Sequence, residues 1–273
     1  MPPLPGSRKQ HEEYSLTWYW LAVGALASGA LIGFTGGVLG IGGGLLAIPL
    51  LGLILGMDQQ QAQGTALIMV LPAVLLTVRK YNQNARIDFR AAGAGAAGSI
   101  VFTYLGARIA LGLDSSVLRT IYASFVLAIA IFYFVQGVRG MRASHSVTPR
   151  RQPGEFNRAW FALVGVLAGL AGGVFGVGGS VLVVPILTTV FRLSQTGAQA
   201  LALTMIIPGT FVALITYASH GQADWLVGVP MAMGSLLCVP YGVRLAYALP
   251  EPRLKLIFAC MLVVIMGLLL LKV

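Results

Sequence analysis

Apolar runs recur along this chain from Thr17 to its last residue, and several are long enough to cross a bilayer as helices. A hydrocarbon core about 30 Å thick needs about 20 helical residues per crossing. Composition agrees, since 57% of the 273 residues are hydrophobic and 10% are charged, against roughly a quarter charged in soluble domains. A single soluble domain is excluded. The chain reads as an all-α polytopic membrane protein embedded in a lipid bilayer.

The formal net charge is +10, which in a soluble chain would raise the question of nucleic acid. Here the Lys and Arg residues lie between and beside apolar runs, where anionic headgroups meet them. No basic stripe or stacking platform accompanies the charge, so no nucleic-acid partner is expected. Cys238 and Cys260 fall inside apolar runs, without CxxC spacing or a His partner, and packing is their expected role. Residues 16–24, followed by Ala25, Leu26 and Ala27, imitate a secretory signal. Against this, Gly29, Leu31 and Gly33 recur as Gly165, Leu167 and Gly169. The first apolar segment therefore belongs to the fold, behind a polar tail at residues 1–16.

Sliding the chain along itself by 136 residues aligns GGVLGIGGG at 36–44 with GGVFGVGGS at 172–180, and nine residues between 36 and 51 are identical to their counterparts. The same offset, without a gap, pairs Pro49 with Pro185, Gln63 with Gln199, Pro72 with Pro208, Tyr81 with Tyr217 and Asp88 with Asp224. It continues through Ser99 and Ser235, Gly106 and Gly242, and Arg108 and Arg244. Two tandem copies follow, at 17–138 and 159–273. Between them, residues 139–158 form a polar linker whose arginines place it in the cytoplasm.

Each copy holds about five apolar segments, in the first copy at 17–36, 45–56, 62–80, 89–112 and 116–138. The second is too short to cross, because twelve helical residues rise only about 18 Å. It is half of a glycine-broken helix or part of a re-entrant hairpin. The connection after the third segment carries Arg79, Lys80, Arg86 and Arg90 in copy one, whereas its counterpart at 215–226 carries no Lys or Arg. Opposite basic content in equivalent loops points to opposite membrane sides, hence to an inverted repeat with both termini outside. Four crossings plus a re-entrant segment per copy, giving eight spans and parallel copies, is the alternative.

In hydrocarbon, irregular backbone is tolerated only where protein buries it or a wet cavity adjoins it. The glycine-dense stretches at 40–44 and 176–180 each run into an apolar helix start. A helix start leaves about four N–H groups unpaired and carries about half a positive charge, which makes an anion site without a charged side chain. Gly42, Gly43, Gly44 and Leu45 are therefore expected to face Gly178, Gly179, Ser180 and Val181 across a central cavity for a small anion. Gln63 and Thr65, with Gln199 and Thr204, are the nearby polar side chains expected to line it. Arg108 and Arg244 are further candidates for anion contact, with headgroup snorkelling as the alternative. Gly29, Gly33, Gly93, Gly95 and Gly98 read as packing glycines.

No Asp, Glu or His falls at the centre of an apolar run, so a protein-borne proton relay is not expected. No metal set, cofactor motif or catalytic constellation is visible, which excludes an enzyme. A scaffold or sensor without transport is the alternative to a small-anion carrier, and a carboxylate is the alternative cargo. A homodimer is a further candidate assembly.

These motifs resemble the TauE/SafE sulfite exporter family, also called the 4-toluenesulfonate uptake permease family. The likeness spans about 25 to 271. It rests on the glycine stretches running into Pro49 and Pro185, on Gln63, Gly64, Thr65 and Ala66, and on the Gly106-x-Arg108 and Gly242-x-Arg244 patterns. The resemblance implies a carrier of sulfite, sulfonates or related sulfur anions in a bacterial inner membrane. Copy two departs from copy one where Ser180 replaces Gly44 and where Ala200 and Leu201 replace Gly64 and Thr65.

Overall fold

The computed structural model describes residues 7–84, 87–142 and 157–270. Ten helices occur among them: α1 (Ser7–Leu39), α2 (Gly44–Ile54), α3 (Gln59–Asn84), α4 (Phe89–Leu111), α5 (Ser115–Arg142), α6 (Arg158–Phe175), α7 (Ser180–Thr189), α8 (Gln195–Ser219), α9 (Trp225–Ala248) and α10 (Glu251–Leu270). Six stretches of the described residues are long and apolar enough to cross a membrane. The chain is a multi-pass helical membrane protein. Helix α1 begins inside the stretch read as a polar tail, and its apolar part is Leu21–Leu39. Residues 143–156 of the linker, with Arg150 and Arg151, and Arg86 of the basic connection lie outside the described residues.

Helices α2 and α7 have 11 and 10 residues, a rise of about 15–17 Å, which is half a crossing. Each contains a proline, Pro49 and Pro185. A proline cannot donate to the carbonyl four residues back, and the carbonyl so released in α2, that of Leu45, accepts from the Tyr122 hydroxyl at 3.0 Å. The starts of α4 and α9 are fixed alike. The Asp88 carboxylate accepts from the amides of Arg90 and Ala91, and that of Asp224 from Leu226 and Val227, satisfying orphan donors of the first turn.

Helix backbones approach closely where glycine removes the side chain. A methyl group at Gly37 of α1 would stand 2.7 Å from the Val239 carbonyl of α9, and Gly29 and Gly33 lie tighter still on Met231 and Ser235. Helices α4 and α6 pack in the same manner, Gly98 against Ala162 and Gly106 against Leu170. Without a hydrophobic drive between helices in lipid, such close backbone contact supplies the packing. Gly93 differs from the expectation: no atom lies within 4 Å of where its Cβ would be. Large apolar side chains such as Leu31, Phe211 and Leu237 line the outer surface.

At one end of the bundle the start of α3 meets the α4–α5 and α8–α9 turns. Gln60 Nε2 donates to the Leu113 carbonyl at 2.7 Å, and the Asp224 amide donates to Thr65 Oγ1 at 3.0 Å. At the other end the close of α3 meets the start of α8 and the close of α9. There the Tyr81 hydroxyl donates to Gln199 Oε1 at 2.9 Å and the Tyr247 hydroxyl to the Tyr81 carbonyl at 3.3 Å. Helices α3 and α8, equivalent under the 136-residue offset, therefore run in opposite directions.

Candidate functional site

Helix α1 stops at Leu39, the chain reverses through 40–43, and α2 runs back beside it, with Gly43 against Ile32. Helices α6 and α7 form the corresponding hairpin from the opposite end, with Gly179 against Ala168. The reversals need left-handed backbone: the helix-capping residues Gly43 and Gly179 have φ of 84° and 75°, a region that costs an L side chain about 1–2 kcal/mol.

Neither helix start is capped by a side chain. Leu46 and Ala47 donate to the Gly43 carbonyl, leaving the amides of Gly44 and Leu45 without a backbone acceptor. Leu182 and Val183 donate to Gly179 in the same way and leave Ser180 and Val181. The Ser180 hydroxyl is itself buried without a partner. Each start thus presents free N–H groups at the positive end of a helix dipole, the arrangement that attracts anions.

The two loops meet. A Cβ on Gly44 would stand 3.3 Å from Val177 Cα and 3.4 Å from the Gly176 carbonyl. Sequence reasoning expected a cavity between them, but contact is direct and residues 40–45 and 176–181 are all buried. The reason is steric: with no side chain on Gly44, backbone packs on backbone and leaves no gap.

Each buried glutamine touches the loop of the other copy. Gln199 packs under Gly40, its Oε1 accepting from Tyr81 and its Nε2 donating to the Leu39 carbonyl at 2.7 Å. Gln63 packs under Gly176, and its Oε1 accepts from the Tyr217 hydroxyl at 2.8 Å, while its Nε2 has no partner. Thr65 is spent on the Asp224 amide at the bundle end, and Thr204 donates to its own helix at Ala200. Arg108 and Arg244 are exposed and lie toward opposite ends, away from the loops. Arg108 Nη1 is 3.1 Å from His220 Nε2, and the Arg244 guanidinium lies 5.9 Å from the centre of the Tyr241 ring.

The free space lies to one side, beside Gly178. It is a narrow recess, too tight for a water-sized sphere, between Ser99 and Thr103 of α4, α6, and Ile206, Gly209 and Thr210 of α8. None of these hydroxyls was singled out by sequence. For the two threonines the signal available was divergence under the 136-residue offset, since Thr103 and Thr210 correspond to Val239 and Val74. A larger hollow of about 390 Å3 is bordered by Leu21, Leu50, Ile54 and Met231. It is apolar and suits a lipid chain better than an anion.

The family model described as "Sulfite exporter TauE/SafE" matches residues 25–269. A "Probable membrane transporter protein" of Xylella fastidiosa is 26% identical over 231 residues, covering 84% of this chain and 86% of that protein. Similar proteins, also named probable membrane transporters, occur in Methanocaldococcus jannaschii, 26% identical with 80% and 82% covered, and in Bacillus subtilis, 23% identical with 76% and 82% covered. No solved structure matches. With nearly its whole length matched, the chain belongs to the TauE/SafE sulfite exporter family of membrane transporters.

Proposed function

We propose that this transporter carries a small sulfur-containing anion, sulfite or a sulfonate, across a bacterial inner membrane, and binds it in the region where the two glycine loops meet. The supporting observation is the meeting of two uncapped helix starts, Gly44 and Ser180, each with free amides. Transporters place substrates at interrupted helices near the bilayer midplane. The family's printed description supports the sulfur chemistry.

The architecture is read as an inverted repeat of 17–138 and 159–273 around the linker 139–158. The opposed directions of α3 and α8 support it. On this reading the α8–α9 turn lies outside and the linker inside; a reporter fused at residue 220 that signals from the cytoplasm refutes it.

Of the aspartates, Asp88 and Asp224 cap helices and Asp58 accepts from the Gln61 amide. Carboxylates occupied in this way at helix starts leave the membrane potential, or the substrate's own proton, as the driving force. The test is uptake of labelled sulfite, thiosulfate, taurine and sulfoacetate into proteoliposomes. Transport of at least one, lost in the Gly43→Val and Gly179→Val double variant, is expected. Intact transport in that variant removes the loops from the mechanism.

A further inference from the structure

We propose that the chain holds its anion at a single site in the recess beside the second glycine loop, where Thr103 donates to a compact oxyanion of one negative charge. This rests on the anion-carrier reading and adds to it a place, a stoichiometry and a charge.

The first ground is an asymmetry between equivalent positions. Around Gly178 stand Thr103, Thr210, Ala168 and Gly209. The positions 136 residues away from these four are Val239, Val74, Ile32 and Ala73, none with a polar side chain. A methyl group on Gly42 would meet only hydrocarbon, Val74 Cγ2 at 2.6 Å and Val70 Cγ1 at 3.2 Å, whereas one on Gly178 would meet Ile206 Cδ1 at 2.8 Å and the Thr210 hydroxyl at 3.2 Å. The first loop is packed in hydrocarbon, and the second borders hydroxyls.

The second ground is the account of free donors. Thr103 is 2% exposed, and among the described residues its hydroxyl makes no hydrogen bond. It lies in the recess, since a Cβ on Gly209 would stand 2.6 Å from Thr103 Oγ1 and 3.3 Å from Ser99 Oγ. Two further buried donors without partners adjoin the same loop, the Ser180 hydroxyl and Gln63 Nε2. Their counterparts at the first loop are not orphaned: Val239 and Gly44 carry no side-chain donor, and Gln199 uses both its polar atoms. Orphan donors in a dry interior are unfavourable. Unmet donors gather at one loop and not at its twin, and Thr103, which lines the recess, is the one placed to reach a ligand there.

The third ground sets the charge. No Lys, Arg or His lines the recess. Burying an ion without a cation is opposed by desolvation, which rises with the square of the charge, so a dianion is rejected where a monoanion is held by hydroxyls and amides. The pinched space favours a headgroup of few atoms that spreads Ile206 and Thr210 as it enters.

Calorimetric titration of the purified full chain with methanesulfonate, a monoanion, and sulfate, a dianion, tests this. The expected result is one methanesulfonate per chain and sulfate at least about tenfold weaker. Thr103→Val lowers methanesulfonate affinity about tenfold or more, Thr103→Ser retains it, and Val239→Thr changes it less than about twofold, each with an unchanged melting temperature. Two anions per chain, tighter sulfate, wild-type affinity in Thr103→Val, or an equal loss in Val239→Thr overturns the proposal. If Thr103→Val fails to fold, Thr103→Ala carries the test, with a loss of affinity expected and wild-type affinity overturning it. Wild-type protein that neither binds methanesulfonate nor moves labelled sulfite overturns the carrier reading as well. Wild-type transport of sulfite with no role for Thr103 overturns the site alone.

Discussion

The two glycine loops share a backbone and differ in what surrounds them. At the first, the carbonyl freed by Pro49 is taken by Tyr122, Gln199 is bonded at both ends, and valines fill the space beside Gly42. At the second, the residue equivalent to Tyr122 is Phe258, which offers no hydroxyl to Val181, and Gln63 keeps a free amide. Duplication dictates the same turn twice, because the left-handed caps Gly43 and Gly179 are a demand of the chain reversal itself. Side chains are under no such demand. One copy's loop is latched by its neighbours, and the other is left with unmet hydrogen-bonding capacity.

Substitution of the capping glycines should separate the loops most. Both Gly179→Ala and Gly43→Ala meet the left-handed cost of about 1–2 kcal/mol. At Gly179 the new methyl also runs into the Ala168 backbone, which cannot yield, while at Gly43 its nearest neighbour is the Ile32 Cγ2 methyl at 2.8 Å. Thermal unfolding in detergent should show the larger loss for Gly179→Ala; an equal or reversed order breaks the comparison.

Removing the tyrosine hydroxyls comes next. Tyr217→Phe leaves Gln63 with no partner at either polar atom, whereas Tyr81→Phe leaves Gln199 its bond to Leu39. Each exposes a buried acceptor at a cost of about 1–3 kcal/mol. Chemical unfolding should show the greater destabilisation for Tyr217→Phe. A smaller, opposite effect is expected from Phe258→Tyr, which places a hydroxyl where Tyr122 stands in the other copy. A gain of about 0.5–1.5 kcal/mol in stability indicates that the second loop lacks only a latch; a loss shows that its ring sits differently. The smallest change belongs to Arg108→Gln and Arg244→Gln, exposed side chains at opposite ends, which should leave sulfite uptake within about twofold.

Much of this was legible in the chain. The short α2 and α7 follow from apolar length against bilayer thickness, and the helix starts expected at Leu45 and Val181 from glycine density before an apolar run lie one residue earlier, at Gly44 and Ser180. The offset also paired Gln63 with Gln199 and Tyr81 with Tyr217. What it left open was which partners meet, because hydrogen bonding crosses the copies: Tyr81 reaches Gln199, and Tyr217 reaches Gln63. A buried tyrosine near a segment end signals a partner but does not name one. The recess was hidden for the same reason. Thr103 and Thr210 look like isolated hydroxyls in apolar helices, where a bond to the helix's own carbonyl is the usual fate, and only packing brings them to one side of Gly178. The expected cavity is absent at Gly44 because glycine, which allows close approach, brings that residue onto Gly176 and Val177 of the other loop.

The most direct test is to locate the anion itself. Selenite is a heavier analogue of sulfite, and anomalous scattering from crystals of the wild-type chain grown with it places the selenium without reference to any assumed site. The account predicts one selenium per chain, within hydrogen-bond reach of Thr103 and beside Gly178. A peak beside Gly42 and Val239, equal peaks at both loops, or selenium only at Arg108 or Arg244 would contradict it.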